Sequence, residues 1–214
     1  EKFKTQLEYL KNTGVKKPIL SSYPHNVDDK NNKNVTLICD IKDGKDFPKV
    51  QQAYFKPSGI FYRSFLIGAG CLFTYGNFFK TVSLDPTLKH IFGGEEILIA
   101  LLAYTNGWDV YTPAENIIYH KYEPNWNNKN SWYNDNNTDN TFVKDVSESY
   151  DKLKKILLDD EFSSNYKYGV GKARSLDEFW KQIGFNRDGK DFSEKWTDES
   201  RNKLCNEQET IKYK

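Results

Sequence analysis

The run Phe92-Gly93-Gly94-Glu95-Glu96, followed by the apolar stretch Ile97 to Ala103, constrains this chain more than any other segment. Paired glycines allow a tight turn that bulkier residues resist. The segment behind them is apolar on every side, and such a helix belongs inside a folded domain. It is too short to cross a bilayer. Asn106-Gly107 then supplies a stop. Upstream, Gly68-Ala69-Gly70 has too little bulk for an ordinary core strand, and glycine there marks close approach by another backbone or a ligand. Downstream, Tyr119-His120-Lys121-Tyr122 ends a short apolar run on a lone imidazole. Two adjacent carboxylates after a glycine pair, with an imidazole further on, suit a sugar-handling site beside a metal.

The rest of the chain frames these motifs. Phe3, Leu7 and Leu10 share one helical face that Gly14 can cap. Strands are expected over Pro18 to Tyr23, Val35 to Asp40, Gln51 to Phe55, Ile60 to Leu66, Trp108 to Tyr111 and Asn116 to Tyr119. His25 to Asp29 and the aspartates at 40, 43 and 46 read as polar turns; the glutamate and spacing of a calcium loop are absent. Asn125 to Asn140, with Trp126, Trp132 and Tyr133 embedded, reads as a long loop. Phe142, Val146, Tyr150, Leu153 and Leu157 trace a helix face. Ser175-Leu176-Asp177-Glu178 is a capping box opening a helix that stops at Gly184. The last thirty or so residues are expected to form a partly ordered tail.

Composition narrows the function classes. The 31 basic and 30 acidic residues nearly cancel, so there is no electrostatic footprint for nucleic acid. No segment is expected to span a membrane. Hydrophobic residues make up 37%, and fourteen each of Tyr and Phe allow an aromatic-rich core. The 214 residues contain no Met and begin with Glu1, which fits a piece of a longer protein. Cys39, Cys71 and Cys205 are odd in number and widely spaced, which argues against a disulfide framework and a zinc site and favours a reducing compartment. Asn34-Val35-Thr36 and Asn136-Asn137-Thr138 are glycosylation sequons, of a kind that arises easily in so Asn-rich a chain.

From Pro18 to Phe185 the order of these motifs resembles the acceptor-side half of a retaining GT-A glycosyltransferase, and above all the polypeptide GlcNAc-transferase family. That family includes a hydroxyproline-modifying enzyme acting on a cytoplasmic ubiquitin-ligase adaptor. Ala69-Gly70-Cys71 is similar to the Ala-Gly-Gly turn lining the sugar pocket of related enzymes, with Cys71 in place of the second glycine. Leu84-Asp85-Pro86 resembles a Tyr-Asp element, and Phe92 to Glu96 resembles a Trp-Gly-Gly-Glu-Asn motif whose Glu bonds sugar hydroxyls. His120 falls where the family has a metal-ligating His, and Tyr168 to Ser175 resembles its closing segment. No Asp-x-Asp or Asp-x-His occurs; the resemblance implies that this metal pair lies upstream.

The implied fold is α/β, an incomplete, Rossmann-like GT-A domain with C-terminal helices. Residues 15–140 would form the acceptor-side part and 141–214 a helical extension. The implied activity is transfer of N-acetylglucosamine from UDP-GlcNAc to a protein hydroxyl, on hydroxyproline or Ser/Thr, with these residues alone inactive. Glu95, Glu96 and Asp85 are the catalytic candidates. Gly68, Ala69, Gly70, Phe92, Gly93, Gly94 and Trp108 are the substrate-binding candidates, and His120 is the metal ligand for Mn or Mg. The implied partners are a nucleotide sugar, a protein acceptor and a second copy of the chain. The implied compartment is the cytoplasm, or the Golgi lumen if an anchor precedes this chain. A non-catalytic carbohydrate- or protein-binding module of the same fold is the alternative. Taken singly, each piece has a plainer explanation. Acids favour helix starts, a lone His is often a core residue, and Gly68 and Gly70 could form a bulge.

Overall fold

A computed structural model describes residues 1–42, 49–122, 140–185 and 198–214. The loop tryptophans, the Asn136 sequon, Asp43 and Asp46 lie outside the described residues. Helix α1 (Lys2–Asn12) is followed by β1 (Pro18–Ser21), β2 (His25–Asn26), β3 (Val35–Lys42), β4 (Lys49–Lys56), β5 (Ile60–Ser64) and β6 (Leu72–Thr74). A short α2 (Phe78–Thr81) precedes α3 (Glu95–Thr105), β7 (Asp109–Tyr111) and β8 (Tyr119–His120). Then come α4 (Asn140–Leu158), α5 (Asp160–Asn165), α6 (Leu176–Gln182), α7 (Asp198–Asn206) and β9 (Thr210–Lys212).

The central sheet has the order β6-β1-β7-β5-β9. Strands β1 and β7 run parallel, and the other neighbours run antiparallel. Two small sheets flank it, the parallel pair β2-β8 and the antiparallel pair β3-β4. This is the expected α/β class, compatible with a Rossmann-like glycosyltransferase domain. Helix α3 lies on the path between the parallel strands. It is buried nearly all round, as its sequence requires: Ile97, Leu98, Leu101 and Leu102 are each at most 3% exposed. Each such side chain contributes about 1.5–3 kcal/mol relative to an exposed one. α3 packs against α6 and α4. The capping box forms as the sequence predicts, with Ser175 Oγ accepting from Glu178 N–H and the Glu178 carboxylate accepting from Ser175 N–H.

Several boundaries differ from expectation for local reasons. β5 stops at Ser64 because the Ser64 hydroxyl accepts from Leu66 N–H and donates to Ile38 C=O, turning the chain out of the ladder. β8 starts at Tyr119 because the Asn116 carboxamide donates to Asn32 and Asn34 carbonyls, holding the preceding residues in a loop.

The C-terminal region departs most. The expected tail contributes α7 and then β9, which pairs with β5 and becomes an edge of the central sheet. Residues on both sides of position 140 therefore share one sheet. Cys39 and Cys205 form a disulfide with Cα atoms 5.2 Å apart. This corrects the expectation drawn from cysteine spacing, and it removes the cysteine-based ground for a reducing compartment. Sequence separation concealed the pair; packing of α7 on β3 brings the two together. Arg201 Nε donates to Asp40 Oδ1 beside it at 3.0 Å. Cys71 is free and buried.

Candidate functional site

Three sequence motifs converge on one dipeptide, Tyr23-Pro24, between β1 and β2. The small-residue turn lies against it so closely that a Cβ on Gly70 would stand 2.9 Å from Pro24 Cδ. A Cβ on Gly68 would stand 2.6 Å from Ile38 Cδ1 and 3.0 Å from the Tyr23 ring. The glycines are there because the neighbouring side chains leave no room. Ser21 fixes the turn from β1: its hydroxyl accepts from Gly68 N–H at 3.0 Å and donates to Cys71 C=O at 2.8 Å. Tyr122, from the Tyr-His-Lys-Tyr segment, donates its hydroxyl to Pro24 C=O at 2.9 Å.

The third motif arrives through Glu96. Gly93 and Gly94 adopt φ of 83° and 94°, a left-handed turn that favours glycine, and this sets both glutamates in the first turn of α3. Glu96 Oε2 accepts the Tyr23 hydroxyl at 2.7 Å, and Oε1 accepts Ala69 N–H at 2.7 Å. One carboxylate thus braces the small-residue turn to the strand end. Burial pushes the Glu96 carboxyl above the ordinary carboxylate range; the bonds from Ala69 and Tyr23 oppose the rise, and the neighbouring Glu95 adds to it. Burial, together with the acceptor Glu96, also pushes the Tyr23 phenol well up.

Glu95 is different. Its Oε2 is buried and has no hydrogen-bond partner among the described residues. Buried carboxylate oxygens are ordinarily bonded, so this one can receive a donor from a ligand. Beside it, Phe92 is held by its backbone: its N–H and C=O meet the Tyr150 hydroxyl at 3.3 and 2.7 Å, while its ring is 61% exposed.

Two further candidates, Trp108 and Asp85, are deeply buried. Trp108 is 1% exposed, donates its indole N–H to Thr81 Oγ1 at 3.0 Å and packs 5.2 Å from Phe78. It is deeply buried against α2, and its position at a strand start concealed how closely that helix covers it. Asp85 is buried, and both its oxygens are engaged within the protein. Oδ1 accepts from Thr87 N–H and Oγ1 at 2.8 and 2.7 Å, and Oδ2 accepts from the Tyr166 hydroxyl at 2.5 Å. Lys152 Nζ lies 3.7 Å from the same oxygen. Burial pushes this carboxyl up, but the Tyr166 and Thr87 bonds and the Lys152 charge outweigh it and hold the group below its ordinary value. Its geometry is that of a clamp between the 85–87 segment and α4 and α5.

His120 is exposed on β8, opposite Asn26 of β2, with its ring 4.5 Å from Tyr122. It is therefore not a core histidine. No three His, Cys, Asp or Glu side chains group as a metal shell among the described residues. They offer one candidate imidazole, fewer ligands than a divalent ion takes. The buried imidazole nearby is His25, 5% exposed, whose pKa burial pushes below the ordinary histidine value. Nothing in local spacing could have marked Tyr23 or Ser21 as the residues that join the motifs, because their partners lie far along the chain.

Comparison with curated proteins returned no match, and neither did comparison with solved structures. A family model described as Glycosyltransferase (GlcNAc) matches residues 2–188, a span that takes in all three motifs and the Tyr23-Pro24 junction. The chain belongs to this GlcNAc glycosyltransferase family.

Proposed function

We propose that this chain forms the sugar-handling part of an enzyme that moves N-acetylglucosamine from UDP-GlcNAc to a protein hydroxyl, on hydroxyproline, Ser or Thr, with retention at the anomeric carbon. The observation that carries the reading is the pairing of Glu96 and Glu95. One carboxylate is consumed in bracing the small-residue turn, and its neighbour keeps a buried oxygen without a protein donor. In this reading Glu95 accepts a donor-sugar hydroxyl, and the exposed Phe92 ring covers an apolar sugar face. Gly68, Ala69 and Gly70 form the small-residue turn that Glu96 braces beside that sugar, packed on their other side by Tyr23 and Pro24. Front-face attack needs no protein nucleophile, and none is assigned. A divalent ion, Mn or Mg, would neutralise the departing diphosphate, with His120 contributing one ligand and the others lying outside the described residues.

Glu95→Gln in the full-length protein tests this. The variant keeps the shape of the side chain and the helix start but loses a charge-assisted acceptor. A loss of roughly 2–3 kcal/mol of transition-state stabilisation, or about a 30- to 150-fold drop in turnover, is expected. If Glu95 serves only the helix dipole, the change is instead about 0.3–1 kcal/mol of stability with transfer intact. Sugar transfer to hydroxyproline and Thr peptides, measured beside the melting temperature, separates the two. Near-normal transfer would remove Glu95 from the site. A wild-type full-length protein that binds the acceptor and never transfers would favour the binding-module alternative.

A further inference from the structure

The Asn34-Val35-Thr36 sequon and the Cys39–Cys205 disulfide lie on the same strand and its approach, and together they say something neither says alone. Asn34 is exposed at the entry to β3. Its backbone is held from both sides: its N–H donates to Asn32 Oδ1 at 3.0 Å, and its C=O accepts from Asn116 Nδ2 at 2.6 Å. Its own carboxamide has no hydrogen-bond partner among the described residues, so a group attached there would displace no internal bond. Five residues on, Cys39 is buried and joined to Cys205, and cross-links of this kind persist in oxidising compartments such as the endoplasmic reticulum lumen. That lumen is also where sequon asparagines are glycosylated.

We propose that Asn34 is an N-glycosylation site and that this chain matures in an oxidising secretory lumen. In the transfer, Asn34 Nδ2 forms a bond to the anomeric carbon of an oligosaccharide carried on a lipid diphosphate. That carbon's bond to the diphosphate oxygen breaks, and the lipid diphosphate leaves while the amide loses a proton. The timing follows from Thr36. In the folded chain Thr36 is 7% exposed, and its hydroxyl donates to Tyr23 C=O at 2.6 Å. The hydroxyl half of the signal is hidden once β3 has paired, so modification precedes folding. This inference does not depend on the sugar-transfer activity, since it rests on the surface of β3 and on the disulfide.

The test uses the protein from its native source. Denatured without reductant, it is expected to be alkylated at Cys71 but not at Cys39 or Cys205, and after reduction at all of these, as read by peptide mapping. Peptide N-glycosidase treatment in heavy-oxygen water is expected to convert Asn34 into labelled aspartate. A second arm expresses the chain with a secretion signal. Asn34→Gln is expected to lose one glycan by mobility, and Thr36→Ser, which keeps the hydroxyl, to retain it. Chain refolded with its disulfide closed is expected to accept far less glycan than reduced, unfolded chain. Free thiols at Cys39 and Cys205 in the unreduced protein, or an Asn34 peptide found wholly unmodified, overturns the proposal. So does a glycan shift that Asn34→Gln leaves unchanged, because no glycan then belongs to Asn34.

Discussion

Glu96 and Asp85 are both carboxylates that accept a tyrosine hydroxyl, from Tyr23 and Tyr166, yet their acidities are displaced in opposite directions. Asp85 also takes two donors from Thr87 and has a Lys152 ammonium at 3.7 Å, so its charged form is well supported. Glu96 has one backbone donor, no cation among its bonded partners, and a second carboxylate beside it. The same residue chemistry therefore gives a settled clamp in one place and an under-supported anion in the other. The sequence reading grouped the two as catalytic candidates, and the difference lies in what surrounds them.

The largest effect should come from deleting the clamp. Asp85→Ala leaves Tyr166, Thr87 and Lys152 without their common acceptor, and about 3 kcal/mol of stability should be lost. Turnover per folded molecule should stay near normal, and denaturant unfolding beside a transfer assay reads both. A turnover defect larger than the stability loss would return Asp85 to the site and erase the contrast. Tyr23→Phe comes next. Removing one hydroxyl from the brace should cost about 1–1.5 kcal/mol, and it should lower turnover because the small-residue turn loosens. The matching Tyr166→Phe should show a similar stability cost without the turnover loss.

The smallest effect is in pH dependence, and its sign differs between the two. The Asp85 carboxyl is held below its ordinary 3.8, so its contribution is present above that pH and is lost as pH falls through the lowered value. The Glu96 carboxyl lies above its ordinary 4.5, so its contribution is full below 4.5 and declines as pH rises through the raised value. Melting temperatures from acid to neutral pH should show Asp85→Asn flattening the acid side and Glu96→Gln flattening the decline above it. Parallel curves for both variants would mean that the two environments are equivalent after all.

Much of the scaffold was legible because its signals are local. The glycine pair before α3, its all-apolar run and the Ser175 capping box each set a backbone conformation within a few residues, and all three formed as read. The glycine turn suggested close approach by another backbone or a ligand, and what lies against it is the side chains of Tyr23, Pro24 and Ile38, which the sequence could not name. What stayed hidden depends on contacts between distant segments. Tyr23 reaching Glu96, Tyr166 reaching Asp85 and Cys205 reaching Cys39 each require the fold to exist first. The depth of Trp108 under α2 was hidden for the same reason, since an aromatic at a strand start looks alike whether or not a helix covers it.

Strand β9 has a consequence for how the chain is made. β5 is translated well before β9, and its partner on one side arrives only with residues 210–212. Until then β5 offers a row of unpaired backbone donors and acceptors to any passing extended chain. Such long-range pairing closes slowly, because the entropy of a large loop has to be overcome first. A nascent or truncated chain lacking β9 is thus a template for strand exchange and aggregation, and yield of soluble protein should depend on how quickly the C-terminal segment is delivered after synthesis.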